Sequence, residues 1–238
     1  MTGGALAQGP VIPNFGTGSR CVTENHTFCW GWVDEHWGDT LQPALLQHLK
    51  FTGIAVSIGF ALAFAAALAA YRYRRLDHPI GLVSDFLYTI PSLALFQLLV
   101  PITGITVTTV EVALVSYTLL ILYRNILEGL RAVPAEAREA ARGMGLTPLQ
   151  VLLRIDLPLA VPAIVAGVRL ATVSTISIAT VAAFILPQGL GRPIFIGITQ
   201  NVFKTEIIAA GALVVMLALA ADALLVLAQR AITPWRRA

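Results

Sequence analysis

Charge is scarce in this sequence. Of its 238 residues, 12% are charged, whereas 57% are apolar. A soluble domain carries about a quarter of charged residues, so a water-facing surface could not be covered here. The composition therefore excludes an ordinary soluble enzyme and a disordered, nucleic-acid-binding tail protein, and it indicates an integral protein of the lipid bilayer. The small net charge of +3 is typical of basic cytoplasmic loops and predicts no nucleic-acid partner.

Nucleotide-binding loops and catalytic groups are missing as well. The sequence contains no G-x-x-x-x-G-K-[ST] phosphate loop, so ATP would have to be bound by another subunit. The four histidines lie at 26, 36, 48 and 78, outside the predicted membrane interior, so no Ser/His/Asp set can form there. We therefore predict no catalytic residue and no cofactor in this chain. Residues 1–20 show no basic stretch followed by an apolar core, so no secretory leader is expected.

Long uncharged runs predict transmembrane helices. A span needs roughly 20 apolar residues, because a helix rises about 1.5 Å per residue through about 30 Å of hydrocarbon. The uncharged run 86–110 is broken near its end by Pro101 and Gly104, so it predicts the end of one span and the start of the next. The predicted spans are 51–71, 82–101, 106–126, 159–186 and 207–230. Alternation with period two is absent, so the predicted fold is an all-α membrane bundle of about five helices.

Basic residues are divided unevenly between the two predicted sides of the membrane. The linkers 72–81 and 124–158 and the tail after 230 share a side and carry eleven of the sixteen Lys and Arg residues. The other side carries four, and Arg169 lies within a span. Because loops rich in Lys and Arg stay in the cytoplasm, the N-terminus is predicted outside and the C-terminus inside a bacterial or archaeal cell membrane. The transmembrane domain is predicted at 46–232, with a cytoplasmic tail at 233–238.

Residues 1–45 form the predicted extracytoplasmic segment. Trp30, Trp32 and Trp37 precede the stretch 41–46, and together they predict an amphipathic helix in the membrane interface.

Two cysteines, Cys21 and Cys29, lie in the same segment. In an oxidising compartment they can form a disulfide, and the alternative is a pair of free thiols. No metal site is expected, because these cysteines and the nearby His26 and His36 match no familiar zinc spacing.

Two charges are predicted at similar depth inside the membrane. Arg169 lies about ten residues into the fourth span and Asp222 about eight residues from the inner end of the fifth. Charges at that depth usually face the bundle and find partners, so we predict that these two pair. Asp85, near the inner end of the second span, is the rival partner.

The linker at 131–158, which we name the coupling segment, carries helix signals. Pro134 suits the first turn of a helix that should end at about Arg142, because Gly143 and Gly145 follow.

A capping box at Thr147 to Gln150 predicts a second short helix. It should run to about Ile155 and end before Pro158. A linker of this length is more often functional than a mere connection.

Seven residues of this segment reproduce the EAA signature of ABC importer permeases. They are Glu139, Ala140, Ala141, Gly145, Ile155, Leu157 and Pro158. Every specified position matches, at the family's spacing and on the predicted cytoplasmic face. The sequence thus resembles the binding-protein-dependent, MetI-like permeases over about residues 45–230. The stretches 88–95, 143–150 and 189–195 look like the osmoprotectant branch, whose members import glycine betaine, carnitine or choline.

The resemblance implies partners. It implies two ABC ATPase subunits that bind ATP and Mg, a second permease subunit, identical or different, and an extracytoplasmic solute-binding protein. The residues around Glu139 and Gly145 would dock in a groove of the ATPase and transmit its motion. Gly145 lies at the glycine hinge between the two predicted short helices. A bulky side chain there is expected to block docking, because it would have no room.

Aromatic rings could line a path for a quaternary ammonium, because their faces attract cations. The candidates are Tyr88, Phe96, Tyr117 and Phe184, together with Pro91. Packing is the alternative role for these rings. Three other functions stay open: an ABC importer of another small solute such as an amino acid, a secondary transporter driven by an ion gradient, and, with least support, an intramembrane enzyme.

Overall fold

Helices make up nearly all of residues 19–233, the part of the chain that the computed structural model describes, without the side chains of residues 200 and 201. We number the α-helices α1 Arg20–Thr23, α2 Trp30–Glu35, α3 Gln42–Arg72, α4 Asp77–Thr89, α5 Ser92–Thr103, α6 Val107–Arg131, α7 Ala135–Gly143, α8 Pro148–Val151, α9 Leu157–Val181, α10 Gly191–Ile196 and α11 Lys204–Ile232. No strand occurs within these residues. Residues 1–18 of the predicted segment 1–45, and the predicted tail beyond Thr233, lie outside the described residues.

The all-α membrane bundle predicted from the sequence is confirmed. Four helices, α3, α6, α9 and α11, are long and apolar enough to cross a bilayer. The fifth candidate crossing is a pair of helices, α4 and α5, which are bent by 101° at the break between them. Asp77 at the start of α4 bonds to Arg131 at the end of α6, and Thr103 at the end of α5 bonds to Thr109 near the start of α6. The bent pair therefore runs the whole length of α6.

The predicted second span, 82–101, is broken inside its length at Pro91, a break that was not predicted from the sequence. A proline lacks an N–H and forces the preceding residue out of the helical region. Ile90 is accordingly extended, with φ −70° and ψ 125°. Its carbonyl is not left bare, since it accepts a hydrogen bond from the hydroxyl of Tyr117 on α6. The boundary predicted near Pro101 and Gly104 is present, since α5 ends at Thr103, Gly104 follows with φ +74°, and α6 begins at Val107.

The second helix of the coupling segment does not end before Pro158, contrary to the prediction. Its first turn, α8, passes through a π-helical turn at Leu152–Asp156 and continues as α9. A proline ring clashes with the carbonyl four residues before it in an α-helix. The wider turn just before Pro158 changes that local geometry, so the chain passes the proline without stopping. The fourth crossing is thus rigidly continuous with the coupling segment.

The first transmembrane helix begins at Gln42, nine residues before the predicted start of the span. Residues 41–46, predicted as part of an amphipathic approach to the first span, belong to the end of a π-helical turn and the start of α3. Pro43 explains the smooth entry, because proline is tolerated in the first turn of a helix.

Small residues on α3 let α6 approach closely. Ala55, Gly59, Ala63 and Ala67 repeat every four residues and are buried. A Cβ atom built on Gly59 would lie 1.8 Å from Oγ1 of Thr118 on α6. In a membrane, where lipid is as apolar as a side chain, such close backbone packing holds helices together. α6 lies at the centre of the bundle, with α3 and α9 packed against it.

Candidate functional site

The coupling segment presents one face outward and holds the other against the bundle. On α7, Ala141 is fully buried, whereas Glu139 and Ala140 are exposed. Gly145, after the helix, is exposed and has φ +85°, a conformation that favours glycine. The exposed face therefore contains the acidic and small residues of the signature, and the buried alanine fixes the helix to the protein.

Space around Gly145 is open within the chain, since a Cβ atom built there meets nothing within 4 Å. Within this chain a side chain at Gly145 therefore has room, and the expected obstruction stays a prediction about the docked ATPase. The constraint at Gly145 is its left-handed backbone.

The predicted capping box is formed. The Thr147 hydroxyl accepts a hydrogen bond from the backbone N–H of Gln150, and the backbone N–H of Thr147 donates to the Gln150 side chain at 2.8 Å. The other signature residues follow in the continuous helix, where Ile155, Leu157 and Pro158 are half-buried. They anchor the segment to the bundle.

A polar network that sequence reasoning missed fixes α7 to α3 and to the start of α9. The Arg138 guanidinium donates from Nε to Oδ1 of Asp156 at 2.8 Å and from Nη2 to the Leu130 carbonyl at 2.6 Å. Tyr71, at the end of α3, donates its hydroxyl to Oδ2 of Asp156 at 2.8 Å. Asp156 is 3% exposed, so this carboxylate is buried with both oxygens bonded. The sequence signal was its isolation between the apolar signature residues Ile155 and Leu157.

The aromatic path candidates divide between two places. Tyr88 and Tyr117 meet edge to face at the break between α4 and α5, with ring centroids 5.9 Å apart, beside the exposed Pro91. Phe96 is fully buried in the same apolar cluster and has no free ring face. Phe184 lies elsewhere, exposed and packed against Phe195 with centroids 4.9 Å apart. The structure thus brings Tyr88, Pro91 and Tyr117 together and sets Phe184 apart.

Arg169 on α9 and Asp222 on α11 face each other. The arginine donates from Nε to Oδ1 at 2.8 Å and from Nη2 to Oδ2 at 3.0 Å, which is a bidentate pair. Both side chains are about one-third exposed in the single chain. The rival partner Asp85 instead accepts a hydrogen bond from Arg124 on α6 at 2.9 Å.

Cys21 and Cys29 are joined by a disulfide. The loop that they close is tied to the start of α11. The Asn25 amide donates to the Val202 carbonyl at 3.0 Å and accepts from the backbone N–H of Lys204 at 3.1 Å.

The side chain of His48 forms a second set of hydrogen bonds near this loop. His48 is fully buried and accepts at Nδ1 from the backbone N–H of Leu190, which leaves Nε2 to donate to the Ile176 carbonyl at 3.0 Å. The described part of the N-terminal segment and the 189–190 turn are thus held to the same end of the bundle, which we name the disulfide end.

Glu111 on α6 is a second residue that the sequence did not single out. Both of its carboxylate oxygens are buried and have no hydrogen-bond partner among residues 19–233. The buried hydroxyl of Thr52 on α3 also has no hydrogen-bond partner among these residues. Gly59 on α3 packs against Thr118 on α6, and the two helices run in the same direction. Thr52 lies seven residues before Gly59, and Glu111 lies seven residues before Thr118. Thr52 and Glu111 therefore lie at the same level in the bundle. The sequence signal was a lone acid next to an uncharged run.

Comparisons with known proteins all indicate one family of membrane transport proteins. Residues 55–237 match the family described as binding-protein-dependent transport system inner membrane component. The chain is 35% identical over 189 residues to the choline transport system permease protein OpuBB of Bacillus subtilis (strain 168), covering 79% of this chain and 86% of that protein. It is also 35% identical over 194 residues to the osmoprotectant import permease protein OsmW of Salmonella typhimurium, covering 79% of this chain and 89% of that one.

Solved structures show the same fold. An inward-facing structure of the MetNI methionine ABC transporter matches with a TM-score of 0.69 and 19% identity, covering 81% of this chain and 95% of that one. An amino acid ABC transporter crystallised with histidines matches with a TM-score of 0.65 and 20% identity, over 79% and 91%. Family, relatives and fold agree with the signature on the exposed face of α7, and the chain belongs to the inner membrane components of binding-protein-dependent ABC transport systems.

Proposed function

We propose that this chain imports a quaternary-ammonium osmoprotectant, such as choline, carnitine or glycine betaine, through a membrane path that a partner ATPase opens and closes. One observation carries the proposal: the signature residues Glu139, Ala140 and Gly145 lie on an exposed face while Ala141 is buried. A surface of this kind suits docking, because small residues permit close approach and a carboxylate accepts hydrogen bonds from a partner. ATP and Mg belong to the ATPase subunits, and the chain itself carries no enzymatic site.

Mechanical continuity supports the role of the coupling segment. α8, the π-helical turn and α9 form one unbroken helical path from the segment into the bundle. The Arg138–Asp156–Tyr71 network joins α7 to that path and to α3. A displacement of the exposed face of α7 is therefore passed on to two transmembrane helices rather than absorbed in a flexible loop.

The proposed solute rests on the names of the relatives and on the aromatic pair at the helix break. Tyr88 is 45% exposed beside Tyr117, so a ring face is available to an ammonium group. The proposal places the coupling segment in the cytoplasm, the disulfide outside the cell, and the solute-binding protein against the disulfide end. It also includes a second permease subunit, identical or different, beside the exposed helices.

The test replaces Gly145 by leucine in the complex with its ATPase and binding protein. Uptake of labelled choline should fall by roughly tenfold or more, because a leucine is strained at φ +85° and disturbs the docking surface. Glycine betaine in excess should compete with choline in the unchanged protein, and methionine should not. Gly104→Leu is the matched control, since Gly104 has a similar φ of +74° but lies at the turn between α5 and α6.

Normal uptake by Gly145→Leu with the ATPase attached would show that the segment does not couple. Uptake by the chain without any ATPase, driven by an ion gradient alone, would identify a secondary transporter.

A further inference from the structure

A cavity of about 650 Å³ lies behind the coupling segment, between α7, α8 and the end of α3. Five arginines line it: Arg72, Arg74, Arg131, Arg138 and Arg142. Asp156 is the one acidic residue in the lining. The cavity is therefore strongly positive.

Two of the five arginines already have carboxylate partners. Arg131 contacts Asp77 at 2.8 Å and Glu128 at 3.6 Å, and Arg138 contacts Asp156 at 2.8 Å.

The other three arginines are not neutralised. Within residues 19–233, no carboxylate lies within 4.0 Å of the guanidinium of Arg72, Arg74 or Arg142. Arg72 is placed over the ring of Tyr73, 5.2 Å from its centroid, which orients the group without removing its charge. Arg72, Arg74 and Arg142 are exposed to solvent, and their like charges around one cavity attract an anion from solution.

The chemistry of these groups favours a phosphate. A guanidinium presents a planar fork of N–H donors that matches two oxygens of a phosphate, and several forks around one cavity can share its oxygens.

An apolar wall adjoins the arginines. Leu68 and Arg72 are four residues apart on α3 and so lie on the same face of the helix, the leucine one turn deeper in the bundle. Leu152 completes the wall from the π-helical turn. A site with charge at its mouth and apolar surface one turn deeper fits the headgroup and the upper acyl chain of an anionic phospholipid.

The cavity is distinct from the proposed docking face for the ATPase. Arg138 and Arg142 are four residues apart on α7 and line the cavity with the buried Ala141 between them. Glu139 and Ala140 are exposed, so the docking surface and the cavity belong to different faces of the same helix.

We propose that this arginine-lined cavity binds a phosphate group, that of an anionic phospholipid headgroup, behind the coupling helix. A bound phosphate would link α7 to the end of α3 through Arg142 and Arg72. The assignment of this cavity to the cytoplasmic leaflet rests on the proposed function, whereas binding of the phosphate does not.

The experiment measures phosphate binding by native mass spectrometry on the full chain assembled with its ATPase and stripped of lipid. The probes are phosphatidylglycerol, the zwitterionic phosphatidylcholine and inorganic phosphate. In the unchanged protein we expect phosphatidylglycerol to be retained and phosphatidylcholine not. The double variant Arg72→Gln/Arg74→Gln should bind phosphatidylglycerol roughly tenfold less tightly, because charge-assisted hydrogen bonds are lost. Arg72→Lys/Arg74→Lys should recover part of the affinity.

The matched control is Arg75→Gln/Arg154→Gln. It removes the same amount of charge from the same end of the bundle, and both side chains are exposed and absent from the cavity lining. It should bind phosphatidylglycerol as the unchanged protein does.

If inorganic phosphate binds and its binding depends on Arg72 and Arg74 in the same way, the site is supported and its ligand is a free phosphate. Equal losses in the two double variants would overturn the site, because they would reflect general surface charge. Retention by the isolated chain that disappears in the complex would also overturn it, since the ATPase would then fill the cavity. None of these results depends on uptake, so failure of the proposed transport function is separately visible.

Discussion

At the scale of single residues, the ion pair of Arg169 and Asp222 can be tested directly by mutation. The two residues join α9 and α11 through two hydrogen bonds of 2.8 Å and 3.0 Å. An unpaired charge inside the membrane is costly, which is why such groups face partners or water. The pair therefore opposes separation of the last two transmembrane helices, and this holds whether or not solute passes beside it.

We expect the single changes Arg169→Asp and Asp222→Arg each to lower the amount of assembled protein several-fold, because each places two like charges together. The double variant that swaps the charges should recover most of the loss. The measurement is the yield of monodisperse protein after extraction in detergent. A double variant no better than the worse single variant would show that the contact contributes nothing to assembly.

Some of the important charged residues could be predicted from the sequence and others could not. Arg169 and Asp222 were predictable because a charge in an apolar run is conspicuous and its depth can be counted. Asp156 was not singled out, since its partners Tyr71 and Arg138 lie 85 and 18 residues away and only packing brings them together. Glu111 lies inside the predicted span 106–126 and was not singled out, although both of its carboxylate oxygens are buried.

At the scale of helices, the contact of α3 with α6 depends on Gly59. A Cβ atom there would come within 1.8 Å of Oγ1 and 2.9 Å of Cβ of Thr118. Rotation of the threonine hydroxyl relieves the first contact and leaves the second. The backbones of the two helices therefore cannot keep their present distance once this glycine has a side chain.

We predict that Gly59→Ala lowers the stability of the chain by about 1–3 kcal/mol, the usual cost of overpacking a close contact. Gly53→Ala is the matched control on the same helix, because nothing lies within 4 Å of a Cβ atom built there. It should raise stability by up to about 1 kcal/mol, since alanine favours the helix over glycine. Thermal unfolding of the two variants in the same detergent gives the comparison. Equal effects would mean that α3 and α6 do not pack as closely as Gly59 requires.

Proline positions explain which helices were predicted correctly. The four long crossings follow from length and hydropathy, which act on each segment independently. Pro91 and Pro158 were misjudged because a proline can either break a helix or be accommodated in it, and the outcome depends on the surrounding structure. At Pro91 the helix breaks and the hydroxyl of Tyr117 satisfies the Ile90 carbonyl. At Pro158 a π-helical turn precedes the proline and the helix continues.

At the scale of the whole molecule, the two ends of the bundle are built differently. At the disulfide end, Asn25 donates a hydrogen bond to the Val202 carbonyl before α11. Gln47 and His48 accept hydrogen bonds there from the backbone N–H groups of Gly189 and Leu190 before α10. The opposite end carries the arginine-lined cavity and the exposed face of α7. Such an arrangement suits a transporter that receives solute at one end and mechanical force at the other. The sequence predicted this asymmetry from the distribution of arginine, because loop charge decides orientation before any packing forms.

The orientation of the chain in the membrane can be tested by labelling with a thiol reagent. Arg192, exposed on α10 at the disulfide end, should react from outside the cell when changed to cysteine and treated with a membrane-impermeant thiol reagent. The native Cys21 and Cys29 give no background, because they are bonded to each other. Arg154→Cys is the matched control, exposed at the opposite end in the π-helical turn, and should react only after the membrane is permeabilised. The eleven basic residues on the predicted inner side, against four on the other, are the physical reason, since translocating Lys and Arg through the membrane is disfavoured. Reaction of Arg154→Cys in intact cells, with Arg192→Cys protected, would reverse the orientation and remove the coupling segment from the reach of a cytoplasmic ATPase.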